Sequence, residues 1–573
     1  MKSVSELLVN DNPIPQRYRS RSVSSVAFFV TPMKRNNSVN PIFQENIVAE
    51  KENVREFLEA AKEVQQRQSR NRWQKEIFRC AYLVALVALV YFVFIGKPLW
   101  QGVGSIYYNF IHTSTTSRIG IVGVFIGWAA IQGCVPLIFA NFEAEVDDVE
   151  SRDASETALI IPAYKAANVL PETITAALQI FRKEQIFVIA NGNNPTPMDN
   201  TADVCKEFGV NHAWVPIGSK IVAEFVGVAL THKFKYIMLI DDDVHLPANL
   251  PLVTNRMTGN TKCVGYTIKS TGANGIKGTL IQQCQDMEYK ASGLGRTFAG
   301  KYGSATFPHG AIILWERECL QNLFNVHPGF TISEDWYFGH CARASGCRIQ
   351  FCSQVFVETE TPPALFKSSN AARGGFGEMT VFKQRFYRWN YFFVHRIYDD
   401  GAYLLLSWRL GWRELVTKFY VLIELYDSCM AILRPWIVIL TLVGDAKLFF
   451  IMAAGLTAMY CLIFIWFNAW HLRKKNEMIQ WRVLPVYLGM KFVLLWVTCA
   501  SVYYAMIHYA IFFMAKHPRV IESTQALEAA YNVRLGTMLV PLNRPSSDVL
   551  GMQETITRLS LSQTDAESMP EKQ

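Results

Sequence analysis

Tyr236-Ile-Met-Leu-Ile-Asp-Asp-Asp243 is the stretch of this chain that decides its architecture. Its first five residues form a short apolar run with β-branched isoleucines, the composition of a strand buried on both faces of a sheet. The three aspartates emerge at the carboxyl end of that strand, where open α/β sheets bind their ligands. Crowded carboxylates repel one another, and the arrangement becomes favourable once a divalent cation stands between them and an anionic ligand. A metal-bound diphosphate is such a ligand. Taken alone, the triplet also suits a solvated acidic turn that caps the next helix.

On either side of this strand the polarity of the chain changes. The 573 residues are 50% hydrophobic and 18% charged, too apolar for an ordinary soluble enzyme, and the apolar residues gather toward both ends. Residues 78–95, 119–140, 419–443, 448–470 and 483–514 are nearly uncharged runs long enough to cross a bilayer core of roughly 30 Å. Residues 143–400 between them have the polarity of a soluble domain and hold the acidic triplet. In 401–418, Leu404, Leu405, Leu406, Trp408, Leu410 and Trp412 alternate with Arg409 and Arg413, which suits a helix lying in the membrane interface. The expected order is a disordered basic arm over 1–45, a surface helix over 46–77, two transmembrane helices within 78–140, the soluble domain, the interfacial helix, about three transmembrane helices within 419–514, and a polar tail over 515–573.

The basic residues orient this plan. Arg67, Arg70, Arg72, Lys75 and Arg79 flank the first span on its N-terminal side, against Lys97 and Arg118 in the next connection, so the N-terminus and the central domain are expected in the cytosol. The loop 471–482, with Arg473, Lys474, Lys475 and Arg482, falls on the same side. The run 483–514 is longer than a bilayer needs and fits one tilted helix or a helix with an interfacial piece. No secretory signal opens the chain, because no early apolar core exists. The 12 cysteines match no zinc spacing and read as reduced core residues. The net charge of +8 lies mostly beside the spans, which suits anionic lipid and gives no reason to invoke nucleic acid.

Within the central block, strands alternate with helices, which argues a mostly parallel sheet covered by helices. One strand, Ala158-Leu-Ile-Ile-Pro-Ala-Tyr-Lys165, is expected to stop at Pro162; another, 186–190, breaks at Asn191-Gly-Asn-Asn-Pro195. Lys220, after Gly218 and Ser219, can reach a phosphate from the same edge. A second acidic pair, Glu334 and Asp335, precedes a helix-like segment, where acids also serve as plain caps. Arg385, Arg388 and Trp389 combine an arginine pair fit to clamp phosphate with a ring fit to stack on a sugar, or they anchor the chain at the lipid interface.

As a set, Ile161-Pro-Ala-Tyr164, Asp241-x-Asp243, Ser333-Glu-Asp335 and Arg385-x-x-Arg388-Trp389 resemble, in order and spacing, the motifs of inverting family 2 glycosyltransferases. The nearest look is to the membrane-embedded processive members, the hyaluronan, chitin and cellulose synthases, and among these to fungal type 2 glycosyltransferases. The resemblance covers residues 158–389 together with the plan of spans before and after. It implies a GT-A-like α/β domain inserted between transmembrane α-helices. It also implies that Asp241 and Asp243 hold Mg²⁺ or Mn²⁺ on the diphosphate of a UDP-sugar, with Asp243 the direct ligand. Asp335 matches the general base that takes the acceptor's proton, and Glu334 the residue that supports it. Pro162, Ala163, Tyr164, Asn191, Lys220 and Asp242 fall on the nucleotide side; Arg385, Arg388, Trp389, His309 and Gly310 fall on the acceptor and diphosphate side.

Two positions depart from the pattern. Asn191 stands where the family has an aspartate against the uridine, so the contact there carries no charge. Arg385 stands where a glutamine usually opens the last motif, and Arg-x-x-Arg-Trp also resembles ceramide glucosyltransferases, whose acceptor is a lipid. Glu424, Asp427 and Arg434 fall in or near the third span, where charges face protein or water; they border a polymer channel or sit in the interface. The expectation is a UDP-sugar-dependent polysaccharide synthase of the plasma membrane, with its catalytic domain in the cytosol and a growing polysaccharide as acceptor. It has room for a homo-oligomer, and a glycolipid-forming transferase is the rival.

Overall fold

The computed structural model describes residues 122–145, 153–272, 277–330, 333–367, 379–390 and 392–512, with single positions elsewhere. The expected arm over 1–45, the surface helix over 46–77, most of the first span and most of the tail lie outside the described residues.

The central domain is built on one eight-stranded sheet. Its strands are β1 (Thr157–Ala163), β2 (Ile186–Asn191), β3 (Asn211–Val215), β4 (Tyr236–Ile240), β5 (Val244–His245), β6 (Thr261–Thr271), β7 (Ile312–Glu316) and β8 (Arg348–Glu360). They stand in the order β3-β2-β1-β4-β7-β6-β8-β5. The β3-β2, β2-β1, β1-β4 and β6-β8 pairs are parallel, whereas β4-β7, β6-β7 and β5-β8 are antiparallel. The sheet is therefore mixed and mostly parallel. From β1 the chain winds outward through β2 and β3, then returns to lay β4 on the other side of β1. That reversal opens a crevice beyond the carboxyl ends of β1 and β4, a topological switch point.

Strand β4 is buried along its whole length, as an apolar run flanked on both sides requires. Its alternation divides the core: Met238 and Ile240 pack with Leu159 and Ile161 on one face, and Ile237 and Leu239 with Ile160 and Trp315 on the other. Pro162 does not end β1. Pairing with β2 runs on to Ala163, while pairing with β4 stops at Ile160. A proline, lacking an N–H, is tolerated where one side of the strand no longer needs a donor, so it opens the β4 side instead of terminating the strand.

The described helices are α1 (Trp128–Phe139), α2 (Leu170–Ala177), α3 (Thr201–Phe208), α4 (Lys220–Leu230), α5 (Leu280–Tyr302), α6 (Arg317–Val326), α7 (Glu334–Ala344), α8 (Phe393–Leu406), α9 (Glu414–Gly444), α10 (Ala446–Trp466) and α11 (Val483–Phe512), besides the single turn Val381–Gln384. Helix α5 begins with a capping box: Gln282 N donates to Thr279 Oγ1 at 3.3 Å and Thr279 N to Gln282 Oε1 at 2.9 Å. It lies so close on β8 that a Cβ at Gly300 would meet the Gln350 and Phe351 backbone at 3.0–3.2 Å. Its other side enters an apolar cluster in which Cys284, Met287 and Leu294 join Phe464, Phe467, Tyr487 and Met490. Helix α5 is thus the joint between the sheet and the apolar helices.

Among the described residues, three helical stretches are long and apolar enough to cross a membrane: Gly411–Gly444, Ala446–Leu472 and Val483–Ile507. The run 483–514 forms one helix, at least to Phe512. The basic loop before it is pinned to the domain. Lys475 Nζ donates to Gln354 O at 2.6 Å, and Glu477 receives Lys269 at 3.0 Å and the buried Lys290 at 2.9 Å. The expected interfacial helix over 401–418 divides into the end of α8, a bend at Ser407–Leu410 and the start of the long span. Leu405 (81% exposed) and Trp412 (86%) present bare apolar surface there, and Lys418 Nζ lies 4.1 Å over the Trp408 ring.

Candidate active site

The end of β1 and the acidic triplet face each other across the switch point. Thr173 Oγ1 donates to the Asp242 carbonyl at 2.8 Å, and Tyr164 N lies 3.5 Å from Asp242 Oδ2. Asn191, buried at the end of β2, spends its amide on the Ala163 carbonyl at 3.0 Å. It therefore holds the end of β1 at Ala163, and Lys165 follows with a left-handed φ of +50°. Asp241 and Asp243 are partly exposed beside Asp242. Burial, then the charges of Asp243 and Asp241, push the Asp242 carboxyl up to about 8.

Lys220 is the hub of the site. It opens α4, and its Nζ stands 2.6 Å from Asp241 Oδ1, 2.9 Å from Glu334 Oε1 and 3.4 Å from the Gly310 carbonyl. Burial favours the neutral amine, but Asp241, Glu334 and Glu224 together hold Lys220 well above its ordinary value. One ammonium therefore links the acidic edge of β4 to the start of α7.

Helix α7 starts on a strained residue: Ser333 is left-handed, with φ +56°. Glu334 and Asp335 follow in the first turn. Burial acts upward on Glu334, yet the Lys220 charge and hydrogen bond bring it below its ordinary value. Asp335 keeps Oδ1 on the Trp336 N–H at 2.9 Å, and burial with the neighbouring Glu334 charge pushes it up to about 7. A carboxylate with that value is matched to proton transfer at neutral pH. A Cβ at Gly310 would lie 3.1 Å from Asp335 Oδ2, so Gly310 lets the backbone of the His309 segment lie directly on the Asp335 carboxyl. Burial, with the charges of Arg296 and Lys220, holds His309 well below its ordinary value, so its imidazole is neutral.

The last motif forms a π turn, Arg385–Trp389, after the single helical turn Val381–Gln384. Arg385 does not point free into the crevice: its Nη2 pairs with Glu288 Oε2 at 2.7 Å and its guanidinium stacks 4.3 Å over the Trp389 ring. Arg388 is exposed, and its charge lowers Glu334. Trp389 lies 6.1 Å from the Tyr289 ring, which lies 5.8 Å from His309, so an aromatic row leads from the π turn to the segment beside Asp335.

Sequence reasoning missed Glu224, Arg296, Glu288 and Lys491. Glu224 sits one helical turn after Lys220, is 3% exposed, leaves Oε2 without a hydrogen-bond partner and is pushed up to about 8, first by burial. The i, i+4 spacing from Lys220 was its only signal. Arg296 on α5 lies 4.4 Å over the Phe307 ring and acts electrostatically on Asp335. Glu424, inside the third span, accepts the indole N–H of Trp336, the residue after Asp335, at 2.9 Å, while Asp427 receives Gln132 at 3.3 Å.

The triplet suits a divalent ion. Burial, and then the Asp243 and Asp241 charges, force Asp242 toward neutrality, and a cation would relieve the charge crowding. Among the described residues no three His, Cys, Asp or Glu side chains converge to hold a metal on their own. That fits a hard cation bound by one or two carboxylates, with the rest of its shell left to ligand phosphates.

Residues 154–376 match the family model described as glycosyltransferase like family 2, so the central block carries a glycosyltransferase family 2-like domain. A search of curated proteins returns no match. Among solved structures, the chain is similar to the mannosyltransferase PcManGT from Pyrobaculum calidifontis in complex with GDP-Man and Mn²⁺, at 14% identity and a TM-score of 0.37 over 73% of this chain and 97% of that one. It is also similar to S. aureus TarS 1–349, at 12% identity and 0.30 over 61% and 91%. A third likeness is to glucosyl-3-phosphoglycerate synthase from Mycobacterium tuberculosis in complex with Mn²⁺, UDP and phosphoglyceric acid, at 15% identity and 0.26 over 39% and 78%.

Proposed function

We propose that this protein is a membrane-held, inverting glycosyltransferase that uses a UDP-sugar and Mg²⁺ or Mn²⁺ to elongate an extracellular or outer cell-wall polysaccharide at the plasma membrane, exporting it as it grows. The observation that carries this reading is the double contact of Lys220 with Asp241 and Glu334, which sets a diphosphate-type acidic edge beside a carboxylate, Asp335, poised near neutral pH.

Asp335 receives the proton of an acceptor hydroxyl as that oxygen bonds to the anomeric carbon. The bond from that carbon to the UDP oxygen breaks on the opposite face, and the configuration inverts. Glu334, held ionised by Lys220, keeps Asp335 raised and basic. Lys220 donates toward the side where charge develops on the leaving diphosphate, a gain that is larger in a partly dry crevice. A metal at Asp241 and Asp243 would supply further neutralisation of that charge. Trp389 and Tyr289 offer ring faces for the acceptor sugar. The direct contact of Glu424 with Trp336 brings a membrane helix to the base, which supports an acceptor that leaves through the spans.

The test is purified protein in detergent, supplied with labelled UDP-N-acetylglucosamine, UDP-glucose or UDP-glucuronate and Mg²⁺ or Mn²⁺. A large, metal-dependent product from wild type and none from Asp335→Asn supports the proposal. Product that extracts into organic solvent favours the glycolipid reading, to which Arg385 gives some colour. Equal activity in both proteins removes Asp335 as the base.

A further inference from the structure

We propose that Glu288 is a positioning residue that locks the membrane helix α11 to the turn carrying Trp389, so that the seat of the acceptor is set by the position of that span. The inference rests on the acceptor role proposed for Trp389.

Both carboxylate oxygens of Glu288 are used, and by different elements. Oε2 meets Arg385 Nη2 at 2.7 Å, and Oε1 meets Lys491 Nζ at 2.7 Å. The three side chains are only 12%, 21% and 28% exposed. Burial alone would raise Glu288, but Lys491 and Arg385 hold it below its ordinary value, so it stays ionised. Lys491 is the only Lys, Arg, Asp or Glu in the apolar run 483–514. A lone charge in such a run is costly unless it has a partner, and among the described residues its acidic partner is Glu288, in the central domain.

From Glu288 the contacts continue to the acceptor side. Arg385 stacks on Trp389, and Tyr289, the next residue of α5, stands between Trp389 and His309. The turn has further ties to the same span: Asn390 Nδ2 donates to Thr498 Oγ1 at 3.2 Å, and Ser501 Oγ donates to the Phe386 carbonyl. The arginine that departs from the family pattern thereby finds its reason. Arg385 is part of a Lys491–Glu288–Arg385–Trp389 chain, whereas the charge of Arg388 acts on Glu334.

The experiment is a double-mutant cycle on the full chain in detergent with Lys491→Met, Arg385→Gln and their combination. Each single variant leaves Glu288 one cation and so remains able to fold. UDP release from UDP-N-acetylglucosamine (or whichever donor wild type uses) and label transferred to product are measured together, with the donor KM. Each single variant is expected to lower the ratio of transfer to UDP release about tenfold to a hundredfold, as a small misplacement of the acceptor would, with donor KM unchanged. The double variant, which leaves Glu288 with neither cation, is expected to depart from the product of the two single losses. Additive losses, or a rise in donor KM with the ratio intact, would overturn the proposal. If wild type turns over no UDP-sugar, the functional reading fails by itself, and the same cycle read by thermal unfolding decides the lock: non-additive shifts uphold it and additive shifts overturn it.

Discussion

Two charge clusters of opposite stoichiometry stand out, one inside the central domain and one joining it to α11. Around Lys220, one ammonium serves Asp241 and Glu334 directly, with Glu224 and Asp335 in electrostatic reach. Around Glu288, one carboxylate serves two cations with a short contact on each oxygen. The first cluster is buried and short of positive charge, so burial and then carboxylate crowding bring Asp335, Glu224 and the adjoining Asp242 near the point of protonation. The second has no acid left to titrate near neutrality and a fixed geometry. Excess charge of one sign creates reactivity, whereas saturated pairing creates position.

The comparison can be broken most forcefully at the base. Asp335→Asn removes the proton acceptor and is expected to cut transfer by about 10²–10⁴-fold, as general bases do, with donor binding little changed by isothermal titration. Chelating the divalent ion, or Asp243→Asn, should cost about 10²–10³-fold in transfer, the scale of losing one charge-stabilising partner, and excess Mn²⁺ should restore the chelated protein but not the variant. In the second cluster, Glu288→Gln leaves Lys491 and Arg385 facing each other and should destabilise the protein by about 3–5 kcal/mol, read by thermal or denaturant unfolding in detergent.

The pH profile sharpens the contrast. A base must be deprotonated, and Asp335 is raised to about 7, so kcat/KM should climb about tenfold per pH unit below that point and level off above it. Glu334, held ionised, should add no second limb in that range. The smallest effect is expected from Glu224→Gln. With Glu224 pushed up to about 8 the carboxyl is already largely neutral at pH 7, so the rate there should stay within about threefold of wild type. The two proteins should diverge only above pH 8, and a large loss at pH 7 would mean that Glu224 works ionised.

Much of the site was legible because it obeys local rules. A buried apolar strand must deliver Asp241–Asp243 at its end, and Glu334 and Asp335 must open a helix. What was not legible depends on partners distant in the chain. That the Asn191 amide nitrogen is held by the Ala163 carbonyl could not be read from the sequence. Arg385 can be read as a phosphate clamp until Glu288 and Lys491 are found around it. Pro162 is a strand breaker by composition and an edge opener in the sheet, because the missing N–H matters only on the side where β4 has ended. Lys491 did leave a trace, a single charge in an apolar run, but the trace says only that a partner exists.

Short windows of sequence were enough for an α/β domain followed by apolar helices, with two acidic motifs at element ends, since burial and periodicity are local properties. Only the tertiary structure decided which charges share a cation, which acid sits near neutrality and which arginine is spent on holding a turn. Those outcomes depend on distances of a few ångströms and on local desolvation, and both are set where segments far apart in the chain meet.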